Sequence, residues 1–152
     1  MDKTVISDTS CLISLNKLGL LHLLKLLYDK ITITPEVKLE WGKPLPNWFI
    51  ENHAENKELQ SKLEGKLGKG EASSIVLALE QQPSIVIIDE IKARKIAQTY
   101  NLEIIGTLGI LILAFKNGSL NNLENTLLQL KSNGFRVSDA LLQNIIESSK
   151  SK

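Results

Sequence analysis

Two aspartates each follow a short apolar, β-branched run: Asp8 comes after 4–7 and Asp89 after 85–88. If those runs are neighbouring strands, both carboxylates leave the sheet at one edge. Two glutamates extend the set. Glu40 lies about one turn into a helix opened by Thr34-Pro35. Glu36, in the first turn, suits the helix macrodipole, but Glu40 is too far along for that role. Glu71 opens a helix over 70–81 and falls in register with Ile75 and Ala78, at the rim of the apolar stripe. A carboxylate leaning toward a core needs a partner, and no single basic residue supplies one. If Asp8, Glu40, Glu71 and Asp89 converge, they cannot all stay ionised without counter-charge. A divalent cation resolves this, and carboxylate-rich, all-oxygen ligation points to Mg²⁺ or Mn²⁺. Such an ion activates water and stabilises charge on a phosphoryl oxygen, so phosphodiester hydrolysis is the matching reaction class. Plainer readings stand beside this one. Aspartate is a favoured N-cap, Glu40 can be a solvated surface group, and Glu71 can answer a helix dipole.

The rest of the composition narrows the field. The chain has 152 residues, 43% hydrophobic and 23% charged, which fits one folded domain. Lys and Arg number 18 against 17 Asp and Glu, a net charge of +1, so a strongly cationic binder is excluded while a local basic patch is not. A single cysteine, Cys11, allows no internal disulfide, and with no visible secretory signal a reducing, cytoplasmic setting is expected. The longest apolar stretch, 104–115, is too short to span a bilayer, so no membrane partner is expected. Two histidines and no paired cysteines make an ordinary zinc site hard to assemble. Asp8-Thr9-Ser10 lacks the second aspartate of a haloacid-dehalogenase-type phosphatase, and Gly70 is followed by Glu71 rather than by the Lys-Ser/Thr of a P-loop. Neither a dinucleotide fingerprint nor a receiver-domain acid pair is present.

The elements that must place the acids read as alternating strands and helices. Strands are expected over 4–7, 31–33, 84–88 and 103–105. Helices are expected over 11–18, 20–28, from Pro35 through Glu40, and over 70–81, 91–100 and 108–116. Between 43 and 69 the pattern is irregular, read as a short helix and a mobile connection, with Trp48 and Phe49 anchoring it to the core. Asn121 with Glu124 resembles a capping box, Gly134 is a helix stop, and Ser138 caps a last helix through Ile146. Strand–helix alternation predicts a parallel sheet covered on both faces, with chemistry beyond the carboxyl ends of its strands.

Five segments together resemble a PIN domain, the metal-dependent ribonuclease fold of VapC-type bacterial toxins. They are Ser7-Asp8-Thr9-Ser10-Cys11-Leu12-Ile13, Thr34-Pro35-Glu36-Val37-Lys38-Leu39-Glu40, Gly68-Lys69-Gly70-Glu71-Ala72-Ser73-Ser74, Ile87-Ile88-Asp89-Glu90-Ile91-Lys92-Ala93-Arg94 and Ile105-Gly106-Thr107-Leu108-Gly109-Ile110-Leu111. The GEA and GTLG segments resemble a little-characterised prokaryotic branch of that family. The resemblance implies a single three-layer α/β/α domain over 1–152, with an α/β core over 1–118, a parallel sheet of four to five strands, and a C-terminal helical hairpin over 119–149. By position it implies that Asp8, Glu40, Glu71 and Asp89 are catalytic, with Asp8, Glu71 and Asp89 on the metal. Thr9, Ser10 and Thr107 would position water or phosphate. Many PIN domains carry a further acid near Thr107. Gly109 occupies that neighbourhood here, which implies a second metal bound weakly or only with substrate. Glu90 is expected to be peripheral.

RNA is the implied substrate. Lys69, Lys92 and Arg94, with Lys66 and Lys95, are candidate phosphate contacts, set against a solvated helix face or, for Arg94, an ion pair. Trp41, Trp48 and Phe49 are read as core anchors rather than base-stacking platforms, and neither Cys11 nor Met1 as catalytic. The leading reading is a Mg²⁺- or Mn²⁺-dependent endoribonuclease, as the toxin of a toxin–antitoxin pair with a small antitoxin protein and a homodimeric form as candidate partners. The alternatives are a catalytically weak or inactive PIN-fold module that binds RNA or protein, and a regulatory protein that docks a partner on its hairpin.

Overall fold

The computed structural model describes residues 2–150, so Met1 and the outer ends of the expected 1–152 domain lie outside the described residues. Strands β1 (Thr4–Ser7), β2 (Ile31–Ile33), β3 (Phe49–Glu51), β4 (Ser84–Ile87) and β5 (Glu103–Ile105) form one parallel sheet in the order β3-β2-β1-β4-β5. The β1–β4 pair is in register along its whole length, from Thr4 opposite Ser84 to Ser7 opposite Ile87. The chain leaves β1 toward β2 on one side and returns as β4 on the other. The β1/β4 boundary is therefore a topological switch point, where crevices open beyond the carboxyl ends of the strands.

The apolar runs split between the two faces of the sheet. Val5, Ile85 and Ile87 point into one core with Leu12 and Leu15 of α1 (Thr9–Lys17), Leu23 and Leu24 of α2 (Leu23–Tyr28), and Ile110 and Leu111 of α7 (Thr107–Lys116). Ile6, Val86 and Ile88 point the other way, onto Ile75 and Val76 of α5 (Lys69–Glu80), Leu63 of α4 (Lys57–Glu64) and Ala93 of α6 (Ile91–Thr99). The result is a three-layer α/β/α sandwich, and burial on both faces explains why β1 and β4 read as continuous hydrophobes rather than alternating ones.

Several boundaries differ from the sequence expectation, each for a local reason. Helix α1 starts at Thr9 because Asp8 caps it, its carboxylate accepting the Thr9 N–H. Helix α2 starts at Leu23, not at 20. Gly19 adopts φ +71° and the Leu20 N–H folds back onto the Leu15 carbonyl, so Leu20 completes the end of α1 instead of opening α2. The irregular stretch over 43–69 contains β3, an edge strand of three residues with an exposed outer half. Trp48 and Phe49 stack there with ring centroids 4.3 Å apart and pack on the first core, as expected of anchors. The cap of α8 (Leu123–Ser132) is Asn122, which accepts the Asn125 N–H, rather than Asn121. Thr34 caps α3 (Pro35–Trp41) as read, and Ser138 accepts the Leu141 N–H at the start of α9 (Asp139–Lys150), which runs past Ile146.

Helices α8 and α9 are not appended to the core. Leu127, Leu130, Leu142 and Ile146 belong to the same buried cluster as Val5 and Ile87. Truncating Leu127, which is fully buried, removes transfer energy and leaves a cavity. We expect Leu127→Ala to lower global stability by roughly 2–5 kcal/mol in urea titrations followed by fluorescence of the two tryptophans, which lie outside the hairpin. An unchanged midpoint would mean that the hairpin unfolds separately.

Candidate functional site

Three strand ends deliver polar groups to the crevice at the switch point. Asp8 follows β1, Asp89 follows β4 after Ile88, and Thr107 follows β5 after Gly106. Backbone bonds fix the first two: the Asp8 N–H donates to the Ile87 carbonyl at 3.0 Å, and the Ile88 N–H to the Ile105 carbonyl at 2.9 Å. Asp8 and Asp89 thus stand on adjacent strands at one sheet edge. From the flanking helices, α3 brings Glu40 and the first turn of α5 brings Glu71. Asp8 senses the charges of the other three acids. Asp8, 3% exposed, is pushed up from 3.8 to about 7, first by burial, then by the charges of Glu71, Glu40 and Asp89, with the Thr9 N–H working in the opposite direction. Glu71 is raised by burial and by the charges of Glu90 and Glu40, against the Gly68 N–H.

Each carboxylate is held by a specific donor. Asp8 Oδ1 accepts the Thr9 N–H at 2.7 Å and Oδ2 the Ser10 hydroxyl at 3.4 Å. Asp89 does not cap α6, since Glu90 does so by accepting the Lys92 N–H. It accepts instead the Thr107 N–H at 2.7 Å and the Thr107 hydroxyl at 2.5 Å. Glu40 looks like a surface residue by exposure, yet its Oε1 accepts the Thr9 hydroxyl at 2.5 Å and its Oε2 the Gly70 N–H at 3.3 Å. Glu71 accepts the Gly68 N–H at 3.2 Å, so it acts as a cap and also stands among the acids. Glu36 turns away to α4, where Gln60 Nε2 donates to it at 2.7 Å.

Two glycines make these approaches possible, and sequence reasoning assigned them no role. A Cβ on Gly70 would lie 2.3 Å from Glu40 Oε1, and one on Gly106 would lie 2.9 Å from Asp89 Oδ1 and 2.7 Å from Arg94 Nη1. The signal for Gly70 was its place directly before Glu71. Gly109, by contrast, faces Ile105, 2.6 Å from its Cγ1 to an ideal Cβ. The absence of the further acid there has a steric counterpart, because a side chain at 109 would collide with β5.

The candidate RNA contacts divide. Arg94 donates to the Ile88 carbonyl at 2.9 Å, a backbone-bracing position behind Asp89 rather than an ion pair. Lys69 and Lys92 are exposed and make no ion pair with a described residue. Trp41 is buried, with its Nε1–H directed at the Pro44 carbonyl at 3.4 Å, so it anchors the core as read. Cys11 is buried and free, and burial together with the charge of Asp89 raises its thiol further, which disfavours a thiolate nucleophile. Glu90, expected at the periphery, contributes its charge to Glu71.

The donor set fits a hard cation. It is all oxygen, and the side-chain charges acting on Asp8 are negative. Among the described residues, no three carboxylate, imidazole or thiol groups are already grouped as a metal cage. Such a crevice of acids stands where parallel-sheet α/β folds gather their chemistry. A family model described as a PIN domain matches residues 4–151, and the chain belongs to that family. No curated protein and no solved structure matches it. PIN domains are generally nucleases and typically use divalent metals, which gives this chain a nuclease-like fold and nucleic acid as its substrate class. Among the described residues, no helix is long and apolar enough to cross a membrane.

The raised Asp8 carboxyl has a measurable sign. The folded protein keeps its proton to higher pH than the unfolded chain does, so stability declines as pH rises between about 4 and 7. Asn at this position keeps the cap and loses the charge. In EDTA, Asp8→Asn should gain stability over wild type by roughly 2–4 kcal/mol between pH 4 and pH 8, read from urea denaturation. A gap independent of pH would show that Asp8 is not a crowded carboxylate.

Proposed function

We propose that this protein is a Mg²⁺- or Mn²⁺-dependent endoribonuclease that hydrolyses RNA phosphodiester bonds. The observation that carries the reading is Asp8: a buried carboxyl lifted toward neutrality first by its burial and then by the negative charges of Glu71, Glu40 and Asp89. A site of that kind is completed by a cation. Asp8, Glu71 and Asp89 would hold it, with Glu40 completing the acidic set. When bound, the ion supplies a lowered water pKa and charge stabilisation on the phosphoryl oxygens. The chain's own residues set the geometry. Thr107 fixes both oxygens of Asp89. Thr9 orients Glu40 from the first turn of α1, and Ser10 reaches Asp8 Oδ2 on the open side. In the net reaction, water forms a new bond to phosphorus, one bond from phosphorus to a ribose oxygen breaks, and that oxygen takes up a proton.

Within this reading the chain acts in the cytoplasm, in keeping with its buried free Cys11. Its role is that of a toxin restrained by a small antitoxin protein, with a homodimer as its candidate assembly. A second reading, a PIN-fold module that binds RNA or protein without cutting, draws on one observation: the acids are not already grouped as a cage.

Purified protein should cleave single-stranded RNA with Mn²⁺ and stop with EDTA. Asp8→Asn and Asp89→Asn should be folded by circular dichroism and inactive, and Thr107→Val should lose about 10- to 100-fold in activity or metal affinity. Calorimetry decides between the two readings. Mn²⁺ binding that Glu71→Gln weakens supports the nuclease, whereas no Mn²⁺ binding to wild type supports the module. Full metal-dependent cleavage in both aspartate variants would refute the assignment.

A further inference from the structure

A cleft of about 450 Å³ runs from the acidic crevice toward the turn between α8 and α9. Asp89 stands at one end, Ser10 and Ser14 lie along it, and Lys17, Phe135 and Arg136 line it further out. We propose that this cleft is a nucleotide subsite for single-stranded RNA, in which Lys17 and Arg136 hold a backbone phosphate adjacent to the scissile one and Phe135 supports a base. The inference rests on the nuclease reading for its direction along the strand, and names where the substrate lies.

The positions follow from local structure. Ser10, Ser14 and Lys17 occupy successive turns on one face of α1, the helix that Asp8 caps. Seven residues of helix rise about 10 Å, a length on the scale of one nucleotide with its flanking phosphates. The opposite wall depends on Gly134. It adopts φ +99°, its N–H donates to the Lys131 carbonyl at 3.0 Å, and the Phe135 N–H donates to the Leu130 carbonyl at 3.2 Å. That left-handed stop folds Phe135 back over the end of α8, where it packs half-buried against the first core, and places Arg136 at the cleft.

The charge distribution suits a polyanion that carries a cation at one end. Two adjacent acids, Asp89 and Glu90, line the cleft on the side of the acidic crevice. Lys17 and Arg136 are exposed at its outer part and make no ion pair with a described residue. Two unpaired cations this close to an acidic centre fit a second phosphate, bound through Arg and Lys as phosphate backbones commonly are. Between the ends, Phe135 and the 70%-exposed Ile91 offer an apolar surface that every base can contact, so the subsite would be tolerant of sequence.

The test uses the whole protein in EDTA, so that binding is read without cleavage. A labelled eight-nucleotide single-stranded RNA is titrated by fluorescence anisotropy at several salt concentrations, and its footprint is mapped by amide chemical shifts. Wild type should bind with shifts centred on Ser14, Lys17 and Arg136. The double variant Lys17→Ala/Arg136→Ala, which alters only exposed side chains, should weaken binding about tenfold or more at low salt and reduce the salt slope by roughly 1–2. Phe135→Leu keeps an apolar side chain against the first core and should weaken binding while the salt slope holds. Unchanged affinity and slope in the double variant, or a footprint confined to Lys66, Lys69 and Lys92, would overturn the subsite. The two proposals fail separately. Metal-dependent cleavage lost in Asp8→Asn alongside unaltered RNA binding in the double variant removes only the subsite. Cleft-dependent RNA binding without any metal-dependent cleavage removes only the nuclease.

Discussion

The parallel pairing of β1 with β4 is the constraint on which the rest of the molecule depends. Register from Thr4–Ser84 to Ser7–Ile87 makes both strands end together, and the next side chains out of the sheet are Asp8 and, one residue further on, Asp89. The pairing is stabilised from both faces by apolar burial, which is indifferent to the acids at its end. The sheet can therefore hold like charges close together that would separate in a flexible chain. The cost shows in Asp8, which burial first, and the charges of Glu71, Glu40 and Asp89 after it, shift toward the neutral form. Cores on either side supply the rigidity that keeps the carboxylates from moving apart.

Around that edge, each supporting group does two jobs. Asp8 caps α1 and also faces the acidic crevice. Glu71 closes the first turn of α5 on Gly68 and stands beside Glu40. Thr107 begins α7 and holds Asp89 with both of its donors. The usual separation between capping and functional readings of an acidic residue breaks down here, because a helix N-terminus at the end of a parallel strand offers donors that fix the orientation of a carboxylate without neutralising its charge. The glycines serve the same purpose by absence. Gly70 and Gly106 leave room for carboxylates at distances that no Cβ would allow.

The two ends of the cleft show how the hairpin relates to the α/β core. Helices α8 and α9 share one buried cluster with β1 and β4, and their connecting turn borders the crevice. A segment that reads as an extension along the chain thus becomes part of the wall of the site. The packing of Phe135 against the first core, with its N–H on the Leu130 carbonyl, matters for the same reason that the register of β1 and β4 does: a side chain can recognise a ligand only if its own position is fixed.

The sequence by itself determined the strands that matter most and the acids at their ends. Val5, Ile6 and the 85–88 run are apolar on both alternate positions, a pattern that marks buried parallel strands, and Asp8 and Asp89 interrupt it abruptly. Thr34-Pro35 and Ser138 were legible as helix starts because a cap depends on residues within one turn. Strand β3 was not legible, since an edge strand of three residues with an exposed outer half has no hydrophobic period to read. The start of α2 was obscured because Leu20 contributes to the end of α1 through a hydrogen bond that leucine content does not reveal. Tertiary structure alone decided that Thr9 orients Glu40, that Arg94 braces Ile88, and that Lys17 and Arg136 line one cleft. Thr9 and Glu40 lie 31 positions apart, and even the Arg94 contact, six positions back, crosses from a helix to the end of a strand. Helical and strand periodicity carry information about which face a residue occupies, and none about what the packed chain places opposite it.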